Sequence, residues 1–191
     1  MSNKINRKDL ILLLLYAPGS SGEEAEPIDG RTRLMKLLFL LQADQSIDKT
    51  LDPKRKYEFQ PYHYGPFAKD VYDDLEFLEN VGLVEVASKG IFASPADQNE
   101  GEKLIEDTSI GEGNEEMEFV LKEERYKLTT RGIIFVKENL SPKEIPVHLL
   151  KSIRDLKLNF ASQPLSSLLR YVYSNYPKYA EKSKIKDLIS S

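Results

Sequence analysis

Two stretches of this chain have no polar face, and they decide where its centre must lie. Leu10-Ile11-Leu12-Leu13-Leu14-Leu15 and, beyond a polar loop, Leu34-Met35 with Leu37 to Leu41 are apolar all round. A helix of that kind has to be covered on every side. Residues 6–17 and 31–43 therefore read as two helices buried together, the second started by Asp29-Gly30. Neither run is long enough to span a bilayer, so no membrane is expected. Lys4, Arg7 and Lys8 before the first run imitate an export signal, but Asp9 abuts it and no small-residue cleavage site follows. A core helix in a cytoplasmic chain is the expectation.

The rest of the chain arranges shorter elements around this pair. Tyr57 to Tyr62 alternates aromatic and polar residues and reads as a strand. Tyr64-Gly65-Pro66 is a turn, with Pro66 at the first position of a helix that carries Val71, Leu75 and Leu78 and stops at Gly82. Strands follow over 83–92 and 119–128, and Thr129 or Thr130 caps a short helix to about Glu138. Between the strands, residues 93–117 are rich in Glu, Asp, Gly and Asn and are expected to be mobile. Helices are expected over 145–160, 164–175 and about 178–189, interrupted by Gln163-Pro164 and Tyr176-Pro177. The fold class is thus α+β and mostly helical. Its topology is a winged helix with a small three-stranded sheet and an enlarged acidic wing over residues 1–140, followed by a helical extension over 141–191.

Three segments carry a resemblance. "RTRLMKLLFLLQ", "YHYGPFAKDVYDDLEFLENVGLV" and "YKLTTRG" resemble the YwgA-like proteins and the related SocA-type antitoxin domain, also called Panacea, over roughly residues 6–138. The resemblance implies prokaryotic or phage origin, no catalysis, and a role in binding a protein, often a toxin, or in controlling transcription. It supplies no catalytic residues, and the acidic insertion departs from the compact form of that family.

The residues independently argue against chemistry. There is no cysteine, so disulfides and thiolate sites are excluded. His63 and His148 are far apart and lack ligand-spaced acids, so no metal is expected, and His63 reads as part of an aromatic turn. Gly19 to Gly22 lacks the lysine and spacing of a phosphate loop, and no G-x-S-x-G occurs. No cofactor and no enzymatic activity are expected. Asp70, Asp73 and Asp74 share a helix face and read as solvated acids.

A protein partner is expected on the turn and the third helix, at Tyr62, His63, Tyr64, Phe67, Lys69, Asp70, Asp74 and Phe77; Phe77 falls off the apolar stripe beside acidic neighbours. The alternative is a dimeric DNA-binding regulator, joined as a homodimer through its C-terminal helices. Charge opposes the usual pose on duplex DNA. Residues 65–86 hold one base against six acids and residues 87–125 four against eleven, whereas residues 126–191 hold twelve against five. Phosphate contacts need cations. They would come from Arg31, Arg33, Lys54, Arg55, Lys56, Lys182, Lys184 and Lys186. Tyr171, Tyr173, Tyr176 and Tyr179, which interleave with Arg170, Lys178 and the last of these lysines, are expected to dock on the domain rather than stack on bases.

Overall fold

The computed structural model describes residues 5–44, 51–52, 54, 56–92, 120–140 and 145–190. The expected mobile segment 93–117 and Arg55 lie outside them. In chain order the elements are α1 (Arg7–Tyr16), β1 (Ile28–Asp29), α2 (Arg31–Ala43), β2 (Gln60–Tyr62), β3 (Gly65–Phe67), α3 (Asp70–Asn80), β4 (Val84–Phe92), β5 (Val120–Leu128), α4 (Thr130–Asn139), α5 (Val147–Phe160), α6 (Leu165–Asn175), a 3-10 turn (Pro177–Ala180) and α7 (Lys186–Ser190). No described helix is long and apolar enough to cross a membrane.

α1 starts at Asn6, whose side chain accepts from the Lys8 and Asp9 amides while Asp9 accepts from the Asn6 amide. This reciprocal cap satisfies amides that the first helical turn leaves open. Leu10 to Leu15 are all buried, and so is every residue of α2 from Thr32 to Leu41. Each such leucine contributes on the order of 2 kcal/mol by leaving water. The polar residues inside the α2 run, Thr32, Arg33 and Lys36, are buried as well.

The three-stranded antiparallel sheet has the order β1-β5-β4. Its third strand is not the expected 57–62 but the two residues Ile28 and Asp29, which pair with Tyr126 and Arg125. Ile28 is fully buried, the Gly30 amide donates to the Glu124 carbonyl at 2.8 Å, and Arg125 forks onto Asp29. Residues 60–62 pair instead with 65–67 in a separate hairpin. Pro66 therefore lies in β3, and α3 begins at Asp70. The chain turns out of α3 at Gly82, two residues past its end at Asn80, and the positive φ of 70° there lets the Leu83 amide turn back to the Leu78 carbonyl at 2.9 Å. Thr129 accepts from the Gly132 amide and caps α4.

Two buried cores result, and α2 belongs to both. The larger gathers α1, most of α2, α3, the sheet and, from α5, Leu149 and Ile153. The smaller holds Phe39 and Leu40 of α2 against Leu168, Leu169 and Val172 of α6, then Ala180, Ile185 and Ile189. The expected helix over 178–189 is broken into the 3-10 turn and α7, because Pro177 starts a tight turn and Lys184 leaves it to bond elsewhere.

Two buried cations tie these parts together. Lys157 on α5 has no solvent exposure, and its ammonium donates to the Leu14 and Leu15 carbonyls at 3.1 and 3.2 Å and to those of Ala17 and Glu26. It sits where the carbonyls ending α1 are left without partners. Arg33 does the same for α5, donating to the Phe160 and Gln163 carbonyls at 2.6 and 2.7 Å.

Candidate functional site

The hairpin of β2 and β3 carries four of the sequence-predicted partner residues, Tyr62, His63, Tyr64 and Phe67, while Lys69, Asp70, Asp74 and Phe77 lie at the start of α3 or along it. His63 and Tyr64 form its turn, with Tyr62 opposite Gly65. Gly65 has a φ of +88°, and a Cβ there would lie 2.8 Å from Cε1 of Tyr173. Only glycine meets both conditions. The Pro66 carbonyl receives the buried Lys36 ammonium at 3.0 Å, and the His63 carbonyl receives the Lys184 amide at 2.9 Å. The Tyr-Gly-Pro segment is thus held from beneath by α2 and α6 and from the side by the C-terminal segment.

A line of aromatic rings runs inward from this turn. His63 stacks on Tyr62 at 4.2 Å between centroids, Tyr62 leans on Phe67 at 5.0 Å, and Phe67 meets the edge of Tyr72 at 5.5 Å. The Arg31 guanidinium lies 5.0 Å from the Tyr72 centroid and forks onto Glu124, to which Tyr126 also donates. Tyr62 at the outer end is 48% exposed. Burial alone would raise the Glu124 carboxyl, but the bonds from Arg31 and Tyr126 bring it below its ordinary value. Glu124 in turn holds Arg31 well above its own. The inner end of the line is therefore a fixed ion pair and the outer end is open ring surface.

The carboxylates of α3 do not form the solvated face expected of them. Asp74 is 3% exposed. It pairs with Arg7 at 2.6 Å and Lys8 at 2.8 Å, and the Tyr57 hydroxyl lies 3.1 Å from it. Asp70 takes the other arm of Arg7. A polar group this deep is costly to bury unless it is bonded, and these partners supply the bonds. The cations arrive from α1, with Arg7 lying 63 residues before Asp70 and 67 before Asp74, so the helix alone could not reveal them. Burial, and then Asp74, push the Tyr57 phenol far above its ordinary value. Asp74 is a structural link between α1 and α3 rather than a contact for a partner. Asp73, Glu76 and Glu79 remain exposed on α3, with Lys69 at its start. Phe77 is 50% exposed, with the Lys8 ammonium 5.2 Å from its ring.

The cations of the DNA alternative are scattered. Arg33 is consumed inside the fold and Arg31 is paired with Glu124. Lys54 borders an open groove with Asn6, Arg7, Lys8 and Phe77. Lys182, Lys184 and Lys186 are exposed, and the Lys184 backbone bond brings them beside the hairpin turn. Of the C-terminal tyrosines, Tyr173 is buried, and Tyr176 and Tyr179 set their edges against Phe39 at 5.0 and 4.7 Å, whereas Tyr171 stays 43% exposed.

Sequence reasoning missed Lys36, Lys157 and Arg33 as anchors. The signal was present: Lys36 interrupts an otherwise apolar run, and Lys157 continues the stripe of Leu149 and Ile153 at helical spacing. The chain matches no protein-family model, no curated protein and no solved structure.

Proposed function

We propose that this chain is a non-enzymatic regulatory binding protein of the antitoxin-like kind, acting by fitting its surface to a protein partner. The observation that carries the reading is the ring line from His63 through Tyr62 and Phe67 to Tyr72, held rigid yet open at its outer end. Tyrosine and other aromatic side chains supply much of the energy of protein contacts at small entropic cost. The sheet order β1-β5-β4, with α3 directly before β4, supports the winged-helix assignment. In that fold α3 is the element that enters DNA. Its exposed acids, Asp73, Glu76 and Glu79, favour a protein over a polyanion there.

One observation favours the second reading, a DNA-binding regulator: the segment that carries the exposed Lys182, Lys184 and Lys186 is bonded to the turn through the Lys184 amide and the carbonyl of half-buried His63. A binding experiment separates the two. The protein is titrated with the product of the adjacent gene and, across a salt series, with duplex DNA from its own upstream region. The expected result is saturable protein binding that weakens at least about tenfold, or 1.4 kcal/mol, in a Tyr62→Ala/Phe67→Ala variant. Duplex binding should be weak and sequence-insensitive and should vanish when Lys182, Lys184 and Lys186 become Ala. Tight sequence-specific duplex binding that survives this triple change and is lost in Lys69→Ala would reject the first reading.

A further inference from the structure

The C-terminal segment meets the hairpin at its turn. The Lys184 amide donates to the His63 carbonyl at 2.9 Å, and the Ser183 hydroxyl lies 2.8 Å from that of Tyr173, whose ring backs Gly65. Ala180 and Ile185, on either side, are buried in the smaller core. Residues 181–184 therefore form a fixed ledge against the turn. We propose that ledge and turn together make one contact surface, and that it takes an acidic segment of a partner protein. The proposal rests on the ring surface described above and specifies the chemistry of what binds it.

The ledge supplies unspent cations. Residues 177–185 hold Lys178, Lys182 and Lys184 against the single acid Glu181. Lys182 and Lys184 are exposed, and neither forms an ion pair among the described residues. The turn adds a donor: Tyr62 is half exposed, and its hydroxyl forms no hydrogen bond among the described residues. Both a phenol and an ammonium donate to carboxylates, and bonds to an ionised acceptor are the stronger kind. Exposed ion pairs nevertheless contribute little singly and are screened by salt. The rings therefore supply most of the affinity, and the lysines select which segment is bound.

A reversal of charge along the surface favours a protein over a nucleic acid. The ring line leads from the turn to Tyr72 on α3. There Asp73 and Glu76 are exposed, and neither forms an ion pair among the described residues. A phosphate chain carries its charge throughout and is repelled at that end. A protein segment confines its carboxylates to the ledge and lays an apolar residue along the rings.

The test is an NMR titration of the isotopically labelled full chain with acetyl-Glu-Glu-Leu-Phe-amide, with its Gln-Gln counterpart, and with a single-stranded thymidine oligomer. Saturable shifts at Tyr62, His63, Lys182 and Lys184 are expected with the acidic peptide. The neutral peptide should bind at least about fivefold more weakly, the difference shrinking as salt is raised. In Lys182→Gln/Lys184→Gln the two peptides should bind alike. The melting temperature should stay within a few degrees, because the bond to His63 uses the Lys184 backbone amide. Equal binding of both peptides at the hairpin of the wild type would overturn the acidic partner and leave the ring reading standing. A preference for the acidic peptide that persists in the double variant would overturn the role of the ledge. Tighter binding of the oligomer than of the acidic peptide at these residues would overturn the assignment to a protein. Absence of shifts there with either peptide would also overturn the proposal, whereas the ring reading is decided separately, by Tyr62→Ala/Phe67→Ala against the product of the adjacent gene.

Discussion

An ammonium cut off from water needs the protein to solvate it, and Lys157 finds four carbonyl oxygens for that purpose. Burial nevertheless pushes its pKa down, to about 8, against the opposing pull of Glu26. An unfolded chain keeps its lysines protonated to higher pH. Above about pH 8 the unfolded state therefore binds more protons than the native one, and stability rises with pH. Between pH 8 and 9.5, below the range where tyrosines ionise, denaturant titrations should show the wild-type chain gaining on Lys157→Met by at most about 1.4 kcal/mol per pH unit. Asp74 tests the opposite situation, a buried carboxylate whose cations reach the surface. Replacing it with Asn leaves Arg7, Lys8 and the Tyr57 hydroxyl short of a partner, and should cost about 3 kcal/mol in chemical denaturation. Asp73→Asn, on the exposed face of the same helix, should stay within about 0.5 kcal/mol of wild type.

Among the elements, the β2–β3 hairpin depends most on one position. Gly65→Ala meets both an unfavourable φ and the ring of Tyr173. Gly22, with a φ of +75° and nothing within 4 Å of its missing Cβ, meets only the first. Thermal melts of the two alanine variants should thus differ. Gly22→Ala should cost about 1 kcal/mol, and Gly65→Ala at least about 2, with the excess reporting the contact to α6. The long elements were legible from signals local to each: α1 and α2 from their unbroken apolar runs, α4 from the Thr129 cap, β4 and β5 from flanking turn residues. The short ones were not. Ile28 and Asp29 offer no alternation to read, and they become a strand only because Tyr126 and Arg125 lie opposite. Pro66 is favourable at a helix start, but Lys36 holds its carbonyl in the hairpin and delays α3 to Asp70.

At the scale of the whole molecule, the candidate surface was half readable. The ring cluster at Tyr62 to Phe67 lies in one sequence segment and is found by inspection, whereas the fate of Asp74, Arg31 and Arg33 depends on partners sixty or more residues away. The placement of the cores was readable to the same degree. That α1 and α2 fill the centre follows from their composition, but not that the far face of α2 is reserved for α6 and α7. Leu38→Asp places an unpaired charge in the larger core and should abolish cooperative unfolding in a circular-dichroism melt. Phe39→Ala should instead loosen the smaller core, since that ring meets Phe59, Tyr176 and Tyr179. A loss of about 3 kcal/mol is expected, with hydrogen-exchange protection falling first in α6.

Because α2 serves both cores, the protein has a problem of timing during its own synthesis. Phe39 and Leu40 leave the ribosome well before the residues that cover them, from Leu165 to Ile189, have been made. At translation rates of roughly 5–20 residues per second, about 150 further residues take on the order of 7–30 s. Throughout that interval a helix with no polar face is at best half covered on a growing chain. Slower translation lengthens the exposure and widens the opening for aggregation, so yield in the cell should fall with codon-slowed variants whose finished protein is identical in sequence and stability.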